Sequence, residues 1–246
     1  MELNTRLKEL KLAWIRKTYE IRNKEAIERR LSYIEFLELL LEDELRNRED
    51  NSFKRRRTKS NLPYDKTLDD YDFNFQPTLN KKLIFDLATC NFIEKKENII
   101  LIWQPWTWKT HIAVSIANNA LLRGYSVVFT SASEMIDNLH KSFADNTQDN
   151  KLKYYIKSDL LILDEFGFKP LSQNMIHYFF EIISRRYEKK SMIITSNKVL
   201  EEWDSILFDR TLITAILDRL MHHCNLLHIK WESYRIKDYL ENKWKS

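Results

Sequence analysis

The chain contains two glycines, Gly124 and Gly167, in 246 residues. Ordinary usage of about 7% would supply ~17 of them. Glycine is the residue that reaches positive φ without steric cost. A chain so poor in it has few ways to turn tightly or to wrap its backbone around a ligand. Tryptophan runs the other way, with seven copies. Any fold assigned to this chain must account for both counts.

The periodicity divides the chain in three. Residues 1–60 read as a helical N-terminal domain. Thr5–Lys24 is charged, with apolar positions at Leu7, Leu10, Ile15 and Tyr19. A second helix is expected from Ser32, where Ser32 and Glu35 fit a capping box. Its residues Phe36, Leu37, Leu40, Leu41 and Leu45 recur at helical spacing, a face expected in the core. Residues 61–78 read as a linker. There Pro63 and Pro77 bracket Asp65, Asp69, Asp70 and Asp72, interleaved with Tyr64, Tyr71, Phe73 and Phe75, which are expected to pin it to the next domain.

Residues 79–246 read as an α/β domain. After a helix over 79–95, strand-like runs at Asn98–Ile102, Ser126–Thr130, Leu160–Leu163, Met192–Thr195 and Leu226–Ile229 alternate with helical stretches near 109–122, 133–143, 172–189 and 212–223. Such alternation predicts a parallel sheet with helices on both faces. The polar segment Asp145–Asn150 reads as a loop.

Several classes are excluded. The first thirty residues carry charges throughout, so no signal peptide is read there. No apolar run approaches the ~20 residues of a membrane span. A cytoplasmic location is the expectation. Cys90 and Cys224 match no metal or redox spacing and read as reduced thiols. His222, His223 and Cys224 are adjacent, but no second ligand pair stands at a suitable spacing, so no metal is assigned to them.

The first strand ends in Trp103-Gln104-Pro105-Trp106-Thr107-Trp108-Lys109-Thr110, and His111 opens an amphipathic stretch. With glycine in place of the three tryptophans the run becomes G-Q-P-G-T-G-K-T, a complete phosphate loop between a strand and a helix. That loop points backbone N–H groups at phosphates, using angles that a Cβ makes costly. A tryptophan side chain would also fill the phosphate space, so a literal Trp106/Trp108 loop is expected not to bind nucleotide. One cause explains both abnormal counts. A gene that reads UGA as glycine, translated by a table that reads it as tryptophan, loses glycines and gains tryptophans at the same positions. A degenerate, non-hydrolysing paralogue and deliberate mutation are the competing explanations.

Two further runs fit an ATPase. Leu160–Leu163 followed by Asp164-Glu165 is an apolar strand ending in two carboxylates, a Walker B pattern. Asp164 and the Thr110 hydroxyl would hold Mg²⁺. Glu165 would polarise the attacking water as general base. Met192–Thr195 then leads into Ser196-Asn197. Lys54, Arg55, Arg56, Arg57 and Lys59 form a basic cluster that fits a polyanion such as DNA, or else a solvated helix face.

Together these residues resemble the IstB family of transposition ATPases, AAA+ P-loop proteins related to the helicase loader DnaC. The resemblance runs from Leu7–Leu12 and Trp14, through Phe36–Leu40 and Arg48-Glu49, to Leu160–Gly167, Ile183–Glu188, Glu202-Trp203, Ile216–His223 and Ile229–Arg235. It implies an AAA+ domain with a helical N-terminal domain. Asn197 would act as sensor I near the γ-phosphate. Arg219 would act as an arginine finger toward a neighbouring subunit, unless it is a surface residue paired with Asp218. Arg185 and Arg186 are other candidates for facing a neighbour. Arg235 would resemble a sensor-II arginine. The family normally has glycine at the positions of Trp14 and Trp231 and tryptophan at that of Trp203. The resemblance further implies ATP and Mg²⁺, self-assembly on duplex DNA without sequence preference, DNA deformation, and stimulation of a transposase. Two alternatives remain. A helicase loader would share the ATPase core, and a nucleotide-independent DNA-binding scaffold would follow from genuine tryptophans.

Overall fold

A computed structural model describes residues 3–73, 79–103, 109–167, 173–203 and 210–229. They divide into two compact units, one ending at Arg55 and the other starting at Arg56.

The first unit holds α1 (Leu3–Glu9), α2 (Ile15–Arg29) and most of α3 (Tyr33–Ser60). The stretch read as one helix from Thr5 is therefore two. The chain breaks at Lys11, whose φ is 55°. The cause lies far along the sequence. The buried Glu44 carboxylate on α3 accepts from the Trp14 and Ile15 amides at 2.8 and 3.2 Å, capping α2. Arg48 neutralises Glu44 at 2.8 Å. The expected capping box opens α3: the Ser32 amide donates to Glu35 at 2.7 Å and the Glu35 amide to Ser32 Oγ at 3.3 Å. The expected core face of α3 is only partly buried. Leu40 joins Leu7 and Ile15 with Phe36 against them, but Leu37, Leu41 and Leu45 are 54%, 44% and 60% exposed. Two short partner helices are too little surface to cover the whole stripe.

The second unit is built on five parallel strands: β1 (Asn98–Trp103), β2 (Val127–Ser131), β3 (Leu160–Phe166), β4 (Ser191–Ser196) and β5 (Cys224–Ile229). Their order is β2-β3-β4-β1-β5. All five were legible because parallel strands are covered on both faces and so read as continuous apolar runs. Ile100, Ile102, Leu161, Leu163, Met192 and Ile194 point into one core with α7 (Ala132–Ala144), α8 (Gln148–Lys157), α9 (Gln173–Arg186) and α10 (Arg210–Met221). The alternate residues Ile99, Leu101, Ile162 and Ile193 point to the opposite face. Against the sheet lies α6 (Lys109–Leu122), buried almost throughout, with α4 (Lys81–Ala88) and the short α5 (Asn91–Glu94) beside it. The expected helix over 79–95 is thus broken, at Cys90, where φ is 61°. The polar run Asp145–Asn150 includes the start of α8, which buries Leu152 and Tyr155.

The scarce glycines sit where no other residue fits. Gly124 and Gly167 have φ of 92° and 90°, beyond the left-handed well near 50–70° that residues with a Cβ can enter. Eight other described residues occupy that well, Lys11, Arg30, Asn61, Cys90, Lys96, Asn146, Glu165 and Glu188, each at ~1 kcal/mol. The turns are made largely without glycine. Among the described residues no helix is long and apolar enough to cross a membrane.

Candidate nucleotide site

In a parallel sheet all strands end on the same edge, and ligands bind there beside the point where strand order reverses. β1 lies between β4 and β5. The carboxyl ends of β1, β3 and β4 therefore converge at the start of α6. Trp103 is the last residue of β1; Gln104, Pro105, Trp106, Thr107 and Trp108 lie outside the described residues. Lys109 and Thr110 open α6 directly after them.

The Thr110 hydroxyl stands 3.1 and 3.0 Å from the two Asp164 oxygens. The Thr195 hydroxyl at the end of β4 donates to Asp164 Oδ1 at 2.5 Å and accepts from the Glu165 amide at 3.0 Å. One hydroxyl thus orients both residues of the Asp-Glu pair. Lys109 is 6% exposed, with its ammonium 3.4 Å from the Ser196 carbonyl. Burial pushes the Lys109 pKa down to about 8, against the opposing pull of Asp164 and Glu165. A buried cation beside a hydroxyl–carboxylate pair, at the N-terminus of a buried helix, suits a polyphosphate with a hard divalent cation.

β3 does not run straight into this edge. Its register with β4 shifts between Leu163 and Phe166, and Glu165 takes φ of 56°. The bulge re-aims one side chain, and Glu165 is exposed while its strand neighbours Asp164 and Phe166 are buried. Asn197 follows β4 and is exposed.

Other expected site residues lie elsewhere. The His111 ring is engaged by the 61–73 segment: its Nε2 is 2.9 Å from the Thr67 carbonyl, and Tyr71 meets it edge-on at 5.5 Å. The Arg219 guanidinium packs over the Phe180 ring at 5.0 Å and donates to the Ala215 carbonyl at 2.8 Å. That arrangement differs from the alternative pairing with Asp218. Arg235, Trp231 and Trp244 lie outside the described residues. Arg186 is not a residue that reaches a neighbour. It is 1% exposed and donates to the Tyr155, Ser158 and Ser191 carbonyls at 2.6, 2.9 and 2.6 Å, tying α8 to β4. Arg185 is paired with Glu181 on its own helix at 2.7 Å.

The basic cluster separates into two kinds of residue. Lys54, Arg55 and Lys59 are exposed. Arg56 donates to the Leu121 carbonyl at the end of α6 at 3.1 Å, and Arg57 bonds Asp65 at 2.8 Å and the Leu62 carbonyl at 3.2 Å.

One feature escaped the sequence reading. Thr195 stood in a strand-to-loop run whose asparagine drew attention, yet its hydroxyl is the group that touches the Asp-Glu pair. The aromatics of segment 61–73 pin it as expected: Tyr71 is buried against His111 and Phe73 stacks on Phe85 at 5.6 Å, while the Lys66 carbonyl accepts from Asn118 on α6 at 2.9 Å. Burial, and then the Asp164 carboxylate, push the Tyr64 phenol pKa up. Contacts spanning 44 and 52 residues leave no local pattern.

This sheet order, with a Lys-Thr helix start facing an Asp-Glu strand end, defines an AAA+ P-loop domain. Within that class the chain belongs to the IstB-like ATP binding protein family, whose sequence model matches residues 5–242. A Geobacillus stearothermophilus protein named as the ATP-binding protein of insertion sequence IS5376 is 41% identical over 208 residues, 85% of this chain and 83% of its own length. The corresponding IS21 protein of Pseudomonas aeruginosa is 38% identical over 237 residues, covering 96% and 89%. Among solved structures, AMPPCP-bound DnaA from Aquifex aeolicus aligns with a TM-score of 0.59 at 22% identity, over 75% of this chain and 56% of that one. DnaI aligns at 0.58 and 23% identity, over 67% and 91%. The DnaC helicase loader aligns at 0.53 and 22% identity, over 72% and 99%. At such identities the structural likenesses show the fold alone.

Proposed function

We propose that this chain is the ATP-hydrolysing helper of an insertion sequence: it assembles on duplex DNA without sequence preference and stimulates a partner transposase. The observation that carries the ATPase reading is the Thr110–Asp164–Thr195 network beside the buried Lys109. The transposition reading is supported by the insertion-sequence relatives, which match the N-terminal helices as well as the α/β domain. In this reading residues 1–60 are a helical DNA-contacting domain, 61–78 a connector and 79–246 the ATPase.

Lys109 neutralises the terminal phosphates, and the amides of residues 103–108 wrap them once glycine stands at 103, 106 and 108. Thr110 and Asp164 would hold Mg²⁺, and the ion would supply charge neutralisation at the phosphates. Glu165 takes a proton from the attacking water as its oxygen bonds the γ-phosphorus and the bond to the ADP oxygen breaks. Asn197 contacts the γ-phosphate. Arg219 leaves Phe180 to reach the nucleotide of a neighbouring subunit, and Arg235 contacts the nucleotide of its own.

Two measurements test this. Trp103→Gly, Trp106→Gly and Trp108→Gly together are expected to create saturable ATP binding, and hydrolysis that duplex DNA stimulates, in a chain that has neither while it carries the tryptophans. ATP binding by the tryptophan-bearing chain, or none by the triple variant, overturns the reading. Mass spectrometry of the protein from its own cells is expected to find glycine at 103, 106 and 108; tryptophan there sinks the recoding explanation.

A further inference from the structure

Far along the chain from the phosphate loop, three potential metal ligands stand together. Glu188 follows the end of α9, and His222 and His223 join α10 to β5. One ligand atom from each lies within 4.8 Å of the others. Glu188 Oε1 is 3.8 Å from His222 Nδ1 and 3.7 Å from His223 Nε2. Those distances are too long for hydrogen bonds. They are close to the ~3.4 Å that separates ligand atoms around a tetrahedral ion with bonds of about 2.1 Å. The sequence showed the histidine pair but not its third partner, which is 34 residues upstream of His222 and is brought there by the turn into β4.

We propose that Glu188, His222 and His223 bind a divalent transition-metal ion of the zinc class. Two imidazole nitrogens and one carboxylate are a borderline donor set that suits Zn²⁺ or Co²⁺ rather than Mg²⁺. The backbone holds the three in place. The His222 amide donates to the Asp218 carbonyl at 3.1 Å, and the His223 carbonyl accepts from the first residue of β1 at 2.7 Å. Glu188 is fixed in the left-handed well at φ of 56°, a conformation that a glutamate adopts at a cost and that turns its side chain toward the pair. The Tyr187 hydroxyl, 2.8 Å from His222 Nδ1, sets that ring's orientation; an ion entering through Nδ1 takes the hydroxyl's place. Cys224, the next residue in sequence, packs against the core and belongs to no such group. All three side chains are about half exposed, so solvent completes the coordination sphere. A bound ion clamps the α9–β4 turn to the α10–β5 junction, the two connections that feed the strands on either side of β1.

The test is a Co²⁺ titration of the untagged full chain in excess Mg²⁺, followed by visible absorbance and by Zn²⁺ displacement. One ion per chain is expected, with weak d–d bands and no thiolate charge-transfer band. Glu188→Gln and His223→Asn should each weaken binding at least tenfold, since losing even an outer-shell partner costs about that much, with melting temperatures in chelator unchanged because the side chains are exposed. No saturable binding, a thiolate band, or unchanged affinity in a His222→Asn/His223→Asn double variant overturns the site. These readouts do not involve ATP, so they stand apart from the transposition reading.

Discussion

Trp203 and Trp14 occupy contrasting environments at the level of single residues. Trp203 is fully buried, 4.4 Å from the Phe166 ring centroid, with its indole N–H donating to the Lys198 carbonyl at 3.3 Å. Nothing smaller fills that volume. Trp203→Ala is expected to cost about 3–5 kcal/mol in denaturant unfolding; a loss under about 1 kcal/mol would mean the ring is not a core element. Trp14 is the opposite case. Its backbone is right-handed helical at φ of −81°, it is half-buried, and its ring lies under Lys17 at 5.4 Å. Neither its backbone angle nor its packing demands glycine or tryptophan.

At the scale of elements, the bulge in β3 has a functional consequence. It leaves Asp164 buried against Thr110 and Thr195 while Glu165 faces solvent. In a glycine-restored chain, Glu165→Gln is therefore expected to keep ATP affinity and to lose ~10²–10⁴-fold in turnover, the usual worth of a general base. Equal loss of binding and turnover would assign Glu165 to holding nucleotide instead. The joint between α2 and α3 makes a different prediction. Arg22 grips Asp43 at 2.7 and 2.8 Å and holds its carboxyl below the ordinary aspartate value of 3.8. A lowered carboxylate pKa contributes stability that is present above that value and fades as pH falls through the lower folded one. Asp43→Asn should cost about 1–2 kcal/mol at neutral pH, modest because Arg22 is partly exposed. The difference between variant and parent should shrink steadily once the pH drops below about 4, in thermal melts by circular dichroism. A pH-independent difference would mean that packing, not charge, is what the variant removes.

For the whole molecule, the basic cluster acts as two sets. Lys54→Gln, Arg55→Gln and Lys59→Gln together are expected to weaken binding to duplex DNA of any sequence. They should flatten its salt dependence by about one unit for each phosphate left without a cation. Arg56→Gln and Arg57→Gln are expected to lower the melting temperature, because their guanidinium groups already satisfy a helix-end carbonyl, a loop carbonyl and Asp65. Unchanged DNA affinity in the first set would exclude this segment as the DNA-binding surface.

The parallel sheet, its five strands and the helix after the phosphate loop could be read from sequence because a doubly covered strand must be apolar along its length and a loop of fixed spacing needs no distant partner. The grouping of Lys109, Thr110 and Asp164 was legible for the same reason, because each stands in a short motif of fixed spacing. Tertiary structure alone decided what depends on distant atoms. Glu44 caps the second helix from 30 residues away, Thr195 binds the Asp164 carboxylate 31 residues upstream, and Arg186 is consumed by carbonyls instead of facing outward. Glu188 joins a histidine pair that the sequence had dismissed. Local periodicity reports burial and backbone conformation. It carries no information about which polar atom another strand will place within ~3 Å, since those distances are set by the register and bulges of the folded sheet.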